Sequence, residues 1–368
     1  MKLAARETST FRLCDLSVDE LAEWCRGVGQ PAYRARQGFH WGFQKRVMDP
    51  ERMDDLPKPF RQLLGERCEI LSSHVVRHLV SQDGTEKLLL ELRDGRTVEC
   101  VLMRGGRRRT ACISTQVGCG MGCVFCASGL KGLERNLSRG EILEQLLHLQ
   151  RLLPHEEKLT NIVVMGMGEP LANLGEVIAA LERVLDEQGL GIGARRITLS
   201  TVGLPEKMRQ LADLGHPFTL AVSLHAPNDR LRDRLVRANT GIGIRAILEA
   251  ADYYFERTGR RVSYEYVLLG GLNDHPTHAR QLAALLEDRC AHVNLIPMNP
   301  VPSLPFRAPK AARVRRFVES LERKGIAVTV RKRKGADIDA ACGQLRLRVD
   351  ASESCREDGA RSERSGTG

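Results

Sequence analysis

Between residues 110 and 331 the chain repeats one rhythm: a short apolar run, a polar or glycine-bearing turn, then apolar residues at helical spacing. The runs at 110–115, 161–165, 196–200, 219–224, 263–268 and 293–297 have the length and β-branched content of buried strands, and 326–331 predicts one more. Ser138-Arg139-Gly140-Glu141 is a capping-box sequence that opens an intervening helix. Six βα units with short loops imply a parallel sheet, either a partial barrel or a doubly wound sheet. Upstream, residues 70–109 alternate apolar and polar positions. Leu88-Leu89-Leu90-Glu91-Leu92 and Thr97-Val98-Glu99-Cys100-Val101-Leu102-Met103 flank Asp94-Gly95, which predicts a β-hairpin linker. It runs into the basic loop Arg104-Gly105-Gly106-Arg107-Arg108-Arg109. Residues 16–67 carry helical spacing, as in Asp19-Glu20-Leu21-Ala22-Glu23-Trp24 and Phe60-Arg61-Gln62-Leu63-Leu64, punctuated by Pro31, Pro57 and Pro59. The expected organisation is a helical N-terminal domain over 1–69, with Arg34, Arg36, Lys45 and Arg46 on its surface, and the hairpin linker over 70–109. The α/β body over 110–350 and a disordered Ser-, Gly-, Arg- and Glu-rich tail over 351–368 complete it.

Composition narrows the class. A chain of 368 residues can bury a barrel-sized core and carry an appendage. No apolar run approaches the roughly 20 residues that span a bilayer. The start Met1-Lys2-Leu3-Ala4-Ala5-Arg6-Glu7 has no apolar core of a secretory signal. Eleven cysteines without a regular disulfide framework fit a reducing cytoplasm and metal or redox chemistry. The net charge of +10 suits a polyanionic partner such as RNA without establishing one. A monomer with no membrane contact is expected.

The densest chemistry lies in Gly118-Cys119-Gly120-Met121-Gly122-Cys123-Val124-Phe125-Cys126. Three thiolates on one glycine-padded loop can hold three irons of a [4Fe–4S] cube and leave the fourth open. The alternative is a structural zinc knuckle, completed from afar by His225 or another cysteine. Further on, Met165-Gly166-Met167-Gly168-Glu169-Pro170-Leu171 follows the second strand; its glycines allow close approach of a ligand, and its carboxylate suits an ammonium group. Ser200, Ser223-Leu224-His225 and Asn299 fall at strand ends, where the rim of a parallel barrel gathers its functional groups.

The cysteine spacing, with Phe125 before the last cysteine, resembles the cluster loop of the radical S-adenosylmethionine (SAM) enzymes. In those enzymes the open iron chelates SAM, a G-E-P stretch binds the SAM amino group, and the fold is a partial barrel. From about residue 16 to 348 the chain resembles, more closely, the RlmN/Cfr group of RNA methyltransferases. The pieces that carry this are Ala111-Cys112-Ile113-Ser114-Thr115-Gln116-Val117-Gly118-Cys119, the cluster loop, the stretch from Met165 to Leu171, Ser223-Leu224-His225, the stretch from Asn294 to Asn299, and Ala340-Ala341-Cys342-Gly343-Gln344-Leu345.

The resemblance implies a (β/α)6 partial TIM barrel of the radical SAM type with a small helical N-terminal domain. It implies a [4Fe–4S] cluster on Cys119, Cys123 and Cys126, and SAM held by Gly168, Glu169, Ser200, Ser223, Leu224, His225 and Asn299. It implies that Cys342 carries a methyl group, that Cys112 resolves the intermediate through a transient disulfide, and that Glu99 accepts a proton. Two SAM are used per turnover. The group's RlmN branch methylates C2 of an adenosine in 23S rRNA and of adenosine 37 in tRNA; its Cfr branch methylates C8 of the same rRNA base. An electron donor such as flavodoxin is implied as a partner. The chain departs from the group at Met298, where a tryptophan is common. Two basic runs, Arg104 to Arg109 and Arg331-Lys332-Arg333-Lys334, flank the two reactive cysteines in sequence and suit RNA phosphates. A zinc-stabilised RNA-binding protein without catalysis is the rival from another class. Cys14, Cys25, Cys68, Cys100, Cys290 and Cys355 match no role.

Overall fold

The computed structural model describes residues 10–130, 132–299, 301 and 304–345. The tail expected over 351–368 and the extreme N-terminus lie outside the described residues.

The apolar runs form strands Arg108–Cys112, Asn161–Val164, Ile197–Thr201, Thr219–Ser223, Val262–Leu268, Ala291–Pro297 and Ala327–Val330, each parallel to the next. Sequence neighbours are sheet neighbours throughout, as short right-handed crossovers require. The sheet has two edges, yet Cys112 on the first of these strands and Arg331 just after the last line one cavity. A sheet that brings its first and last parallel strands to one cavity curls into a partial barrel, which resolves the choice the periodicity left open.

The expected hairpin is part of something larger. Strands His74–Val80, Glu86–Glu91 and Thr97–Gly105 form an antiparallel meander that pairs directly with Arg108–Cys112. The result is one continuous ten-stranded sheet rather than a separate linker. Strand His74–Val80 is exposed along almost its whole length, so the usual inside–outside alternation does not announce it.

The helix Arg139–Arg151 joins the two halves. Both halves of its capping box form, Ser138 with the Glu141 backbone and Glu141 with the Ser138 backbone. Residues 140–150 are all buried because the barrel covers one side and the N-terminal helices the other. Polar pins cross this interface. Asp15 accepts hydrogen bonds from Gly140 N and Ser138 Oγ, both at 3.0 Å. Glu144 accepts from Ser73 N at 2.7 Å and from Ser72 Oγ at 2.8 Å, and Gln150 donates to the Phe43 carbonyl at 2.9 Å.

The N-terminal part holds helices Val18–Gly27, Arg34–Phe39 and Lys58–Arg67, closed by a parallel bridge between Phe11–Arg12 and Cys68–Glu69. Its Trp24, Phe39 and Phe60 belong to the same apolar core as Leu143 and Leu146 of the joining helix. Two of its four expected surface cations are half-buried and engaged. Arg34 bonds Gln37 and the Asp55 carbonyl. Arg46 reaches the carbonyls of Leu153 and Pro154, both at 3.0 Å, and that of Glu157. Only Arg36 and Lys45 are exposed, and Lys45 lies 3.7 Å over the Trp41 ring.

A glycine early in a helix is normally improved by alanine, by up to about 1 kcal/mol. Here a Cβ on Gly140 would stand 2.2 Å from Asp15 Oδ1. Gly140→Ala is therefore expected to destabilise, by about 2 kcal/mol, and to expose residues 10–70 to trypsin. Adding Asp15→Ala should recover part of the loss. Limited proteolysis and urea unfolding of the two variants check this; a stabilised Gly140→Ala would refute it.

Candidate active site

The loop with three cysteines leaves the first parallel strand through a tight turn. Gly118 has φ of +78°, and a Cβ there would sit 2.1 Å from the Gly132 carbonyl, so only glycine fits. Cys119 N bonds that same carbonyl at 2.9 Å, and Cys126 N bonds the Cys123 carbonyl at 3.2 Å. From beneath, Val124 N bonds the Leu235 carbonyl at 3.0 Å, and Ala238 N bonds the Met121 carbonyl at 3.2 Å. Cys119, Cys123 and Cys126 all line a cavity of about 150 Å³.

Burial pushes the Cys119 thiol up to about 11 and the Cys123 and Cys126 thiols upward as well. Neighbouring thiolate charge adds to the rise at Cys119 and Cys123. A cationic group is needed to hold all three as thiolates. Among the described residues no three His, Cys, Asp or Glu converge on the point a single ion would occupy. A cube binds each thiolate on its own iron, so its ligands stand apart, whereas zinc draws four together. His225, the distant fourth ligand of the zinc alternative, receives Val267 N–H on Nδ1 at 3.1 Å and turns its ring edge to Phe125, with centroids 4.8 Å apart. The donor set fits an iron–sulfur cube.

Gly168, Glu169, Ser200, Ser223, His225 and Asn299 line the same cavity. The carboxylate of Glu169 is 2 % exposed and accepts from Val202 N at 2.8 Å and Leu171 N at 3.1 Å. Burial raises its pKa to about 7 against the pull of these donors. The Ser200 and Ser223 hydroxyls meet at 3.3 Å across adjacent strands. His225 holds φ of +60°, a conformation uncommon outside glycine, and burial pushes its imidazole down to about 3. It is a neutral ring.

Two expectations change. Leu224 does not line the cavity: its side chain is in the core, and its backbone carbonyl receives Arg232 Nε at 3.0 Å. The glycine at 168 has φ of +99°, and a Cβ there would stand 2.6 Å from the Gln116 side chain. Close approach between loops of the chain itself demands this glycine, before any ligand does.

A second cavity, of about 580 Å³, opens beside the first. Cys112 and Cys342 both line it, although Cys112 is buried on the first parallel strand and Cys342 is exposed on the C-terminal segment. That segment is fastened at three points. Gly343 O receives Ala127 N at 2.9 Å, Leu345 O receives Ser128 Oγ at 2.9 Å, and Cys342 O receives Asn299 Nδ2 at 3.1 Å. Asn299 thus holds the Cys342 backbone as well as facing the first cavity. Burial pushes the Cys112 thiol up to about 12, and the Cys342 sulfur adds to the rise. Met165, Ile296, Met298, Asn299, Arg331 and Cys342 line both cavities, and Cys342 is the one nucleophile among them. Met298, at the position where the family often has tryptophan, is part of this shared wall.

Glu99 stands on the same strand face as Val101 and Met103, which line the second cavity, but does not line it itself. It pairs with Lys87 at 2.9 Å, both groups buried, and Lys87 also donates to the Asp339 carbonyl at 3.2 Å. Sequence inspection missed Glu265, which lines the first cavity with Asn294 Nδ2 at 2.8 Å and Arg331 Nε at 3.8 Å. Its place inside a strand of large apolar residues gave no signal.

The basic runs divide. Arg331 turns inward, with Nη1 3.8 Å from Cys342 Sγ and 3.7 Å from Met165 Sδ. Arg104 pairs with Glu86, Arg109 with Glu157, and Lys334 with Asp83 at 3.6 Å. Arg107, Arg108, Lys332 and Arg333 are the exposed remainder.

The curled sheet and its three-thiolate loop are those of the radical SAM superfamily, whose model matches residues 113–283. Residues 11–70 match the ribosomal RNA large subunit methyltransferase N-terminal domain. The chain is 54% identical over 334 residues to the probable dual-specificity RNA methyltransferase RlmN of Rhodopirellula baltica, covering 91% of this chain and 90% of that protein. It is 49% identical to the RlmN of Symbiobacterium thermophilum, with 91% of each covered. The crystal structure of a radical SAM methyltransferase from Sphaerobacter thermophilus superposes with a TM-score of 0.89 at 45% identity, covering 91% of this chain and 99% of that one. The chain belongs to the RlmN family of radical SAM RNA methyltransferases. The family implies a [4Fe–4S] cluster and SAM as cofactors and RNA as substrate. No helix among the described residues is long and apolar enough to cross a membrane.

Glu169 supplies a pH test. Its pKa is higher in the folded chain, about 7, than the ordinary 4.5, so the folded state binds the extra proton. The stability this contributes is full below pH 4.5 and is lost as pH rises through 7. Relative to Glu169→Gln, the cluster-free wild type should lose on the order of 3 kcal/mol across that window. Urea unfolding of both proteins at intervals from pH 4 to 8 reads the difference; a flat difference contradicts it.

Proposed function

We propose that this protein methylates C2 of an adenosine in 23S rRNA and of adenosine 37 in tRNA, through a methyl group carried on Cys342 and a transient Cys112–Cys342 disulfide. The observation that carries the proposal is Cys342 in the wall between two cavities, one lined by the three-cysteine loop and the other by Cys112. A residue that loads at one site and delivers at another must face both.

In this proposal Cys119, Cys123 and Cys126 ligate the cluster, and Gly168, Glu169, Ser200, Ser223, His225 and Asn299 hold SAM. Glu169 offers the SAM ammonium a buried carboxylate, and a cationic partner would bring its raised pKa back down. The neutral His225 and the serine pair supply hydrogen bonds to uncharged groups of the cofactor.

Cys342 first accepts a methyl group from one SAM by nucleophilic displacement. When bound, the cluster and a second SAM supply the 5′-deoxyadenosyl radical that removes a hydrogen atom from that methyl group. The sulfur-bound methylene joins C2 of a base placed in the larger cavity, which has room for a flipped-out nucleotide. Glu99 takes the C2 proton and the adduct gives up one electron to the oxidised cluster, with Lys87 linking Glu99 to the segment that bears Cys342. Cys112 then attacks the Cys342 sulfur, the carbon–sulfur bond breaks, and the released carbon takes a proton to become the methyl group. An external donor such as flavodoxin supplies the electron for the cluster, a thiol reductant returns the Cys112–Cys342 disulfide to two thiols, and the protein acts as a monomer.

The adduct is the test. With labelled RNA under turnover conditions, Cys112→Ala should give a protein–RNA band on a denaturing gel, because nothing remains to release it. Cys342→Ala should give none. The reverse pattern, or full turnover by either variant, contradicts the assignment. NMR of the modified adenosine from wild type should show a C2 methyl; a C8 methyl would place the chain with Cfr-type enzymes.

RNA binding should depend on the cations that remain exposed. Every phosphate that Arg107, Arg108, Lys332 or Arg333 no longer neutralises should reduce the slope of log affinity against log salt by roughly 0.7–0.9. Filter binding of the four-fold glutamine variant measures this, and an unchanged slope would mark these residues as solvated surface only.

A further inference from the structure

Arg232 takes no part in the chemistry above, yet it is fully buried. Its Nε donates to Leu224 O at 3.0 Å, Nη2 to Ser223 O at 3.1 Å and to Val202 O, and Nη1 to Asn239 Oδ1. All four acceptors are neutral. The carboxylates nearest in sequence, Asp229 and Asp233, act on Arg232 only from behind Asn239. Asp229 and Asp233 both accept from Asn239 Nδ2, and Asp229 also caps Ile244 N at 2.8 Å. Among the described residues Arg232 has no carboxylate within ion-pair distance, since none of the ion pairs includes it. Burial draws its pKa down to about 10, which leaves it charged at neutral pH. A buried cation whose carboxylates stand one side chain away is only partly compensated. Four well-aligned neutral acceptors offset part of the cost of burial and do not neutralise the charge.

A further source of negative charge lies in the direction of the three-cysteine loop. The helix Asp229–Leu235 carries Arg232 and runs straight into it: Leu235 O receives Val124 N at 3.0 Å, and Val236 bridges Cys123. Cys123 is the acidic group whose charge bears most strongly on Arg232. A cube held by three thiolates is anionic when oxidised and more so when reduced. A fixed positive charge beside it favours the reduced form.

We propose that Arg232 is the buried counter-charge of the cluster on Cys119, Cys123 and Cys126, a positioning residue that raises the cluster's reduction potential. Its fork also ties together the strand ends that present Ser200 and Ser223. The inference rests on the cluster assignment made above.

The experiment reconstitutes wild type, Arg232→Gln and Arg232→Lys with iron and sulfide under anaerobic conditions. Iron and sulfide per chain are measured, then the midpoint potential by titration followed by EPR. Arg232→Gln should shift the midpoint to more negative values. Arg232→Lys keeps the charge, so it should hold the wild-type midpoint while melting at a lower temperature. A glutamine variant with full iron and an unchanged midpoint overturns the proposal and leaves the cluster assignment standing, as does a lysine variant shifted as far as glutamine. Wild type that takes up no iron overturns the cluster assignment and this proposal together. A second measurement does not depend on any Arg232 variant folding. Protein grown on arginine labelled with 15N in the guanidinium, in an Arg237→Lys, Arg331→Lys background that removes the exposed neighbour packed on Gly122 and the arginine lining the three-cysteine cavity, is reduced and examined by pulsed EPR. A 15N coupling absent from unlabelled protein is expected; no coupling overturns the proposal.

Discussion

The C-terminal segment is joined to the three-cysteine loop by hydrogen bonds that use the backbone of one and both backbone and hydroxyl of the other, and the site depends on that joint. Ala127 N and Ser128 Oγ hold the carbonyls of Gly343 and Leu345, both at 2.9 Å. Neither bond involves a reactive group. Together with Asn299, they fix the backbone at Cys342 and just after it, so the position of its sulfur follows from the position of the loop. Each such bond contributes about 1 kcal/mol net. Their value lies in geometry: they fasten the segment that bears Cys342 to the loop that follows the first parallel strand.

The same device recurs at the outer face. The joining helix is buried on all sides between barrel and N-terminal domain, and its polar groups are satisfied by partners from both. Gln145, for example, exchanges hydrogen bonds with the Ser114 backbone on the barrel side, while Glu144 serves Ser72 and Ser73. A buried carboxylate and a buried amide left without such partners would each cost about 1–3 kcal/mol or more. The helix therefore specifies where the two domains meet, which an apolar helix would not do.

The strands were legible because buried parallel strands are short, apolar and separated by turns, and the caps were legible because Ser-x-x-Glu has a mechanism. The cysteines were legible because their spacing is dense. What escaped reading shares one cause: a charged side chain inside an element looks the same in sequence whether it faces water or the core. Arg331 sat in a basic run and turned inward to Glu265. Arg46 looked like surface and clasps three carbonyls of the barrel. Arg232 lies in Asp229-Arg230-Leu231-Arg232-Asp233-Arg234-Leu235, where helical spacing alone gives no reason to choose it over Arg230 or Arg234. Tertiary packing makes that choice, and it is made by residues far along the chain, here the ends of two strands.

Burial also orders the proposed reactions of the two sulfurs. Cys342 is exposed and faces both cavities, as a group that must meet a cofactor and then a base requires. Cys112 lies in an apolar wall with Val101, Met167 and Leu345, and its thiol is pushed up to about 12. At neutral pH Cys112 then stands as the thiol, and only its thiolate attacks sulfur. Release of the product therefore has to include removal of the Cys112 proton before its sulfur can attack that of Cys342. The route needs a base at that stage. Glu99, on the strand paired with that of Cys112, and Lys87, one strand further out, share its sheet face, and Glu99 can serve there only after it has passed on the C2 proton.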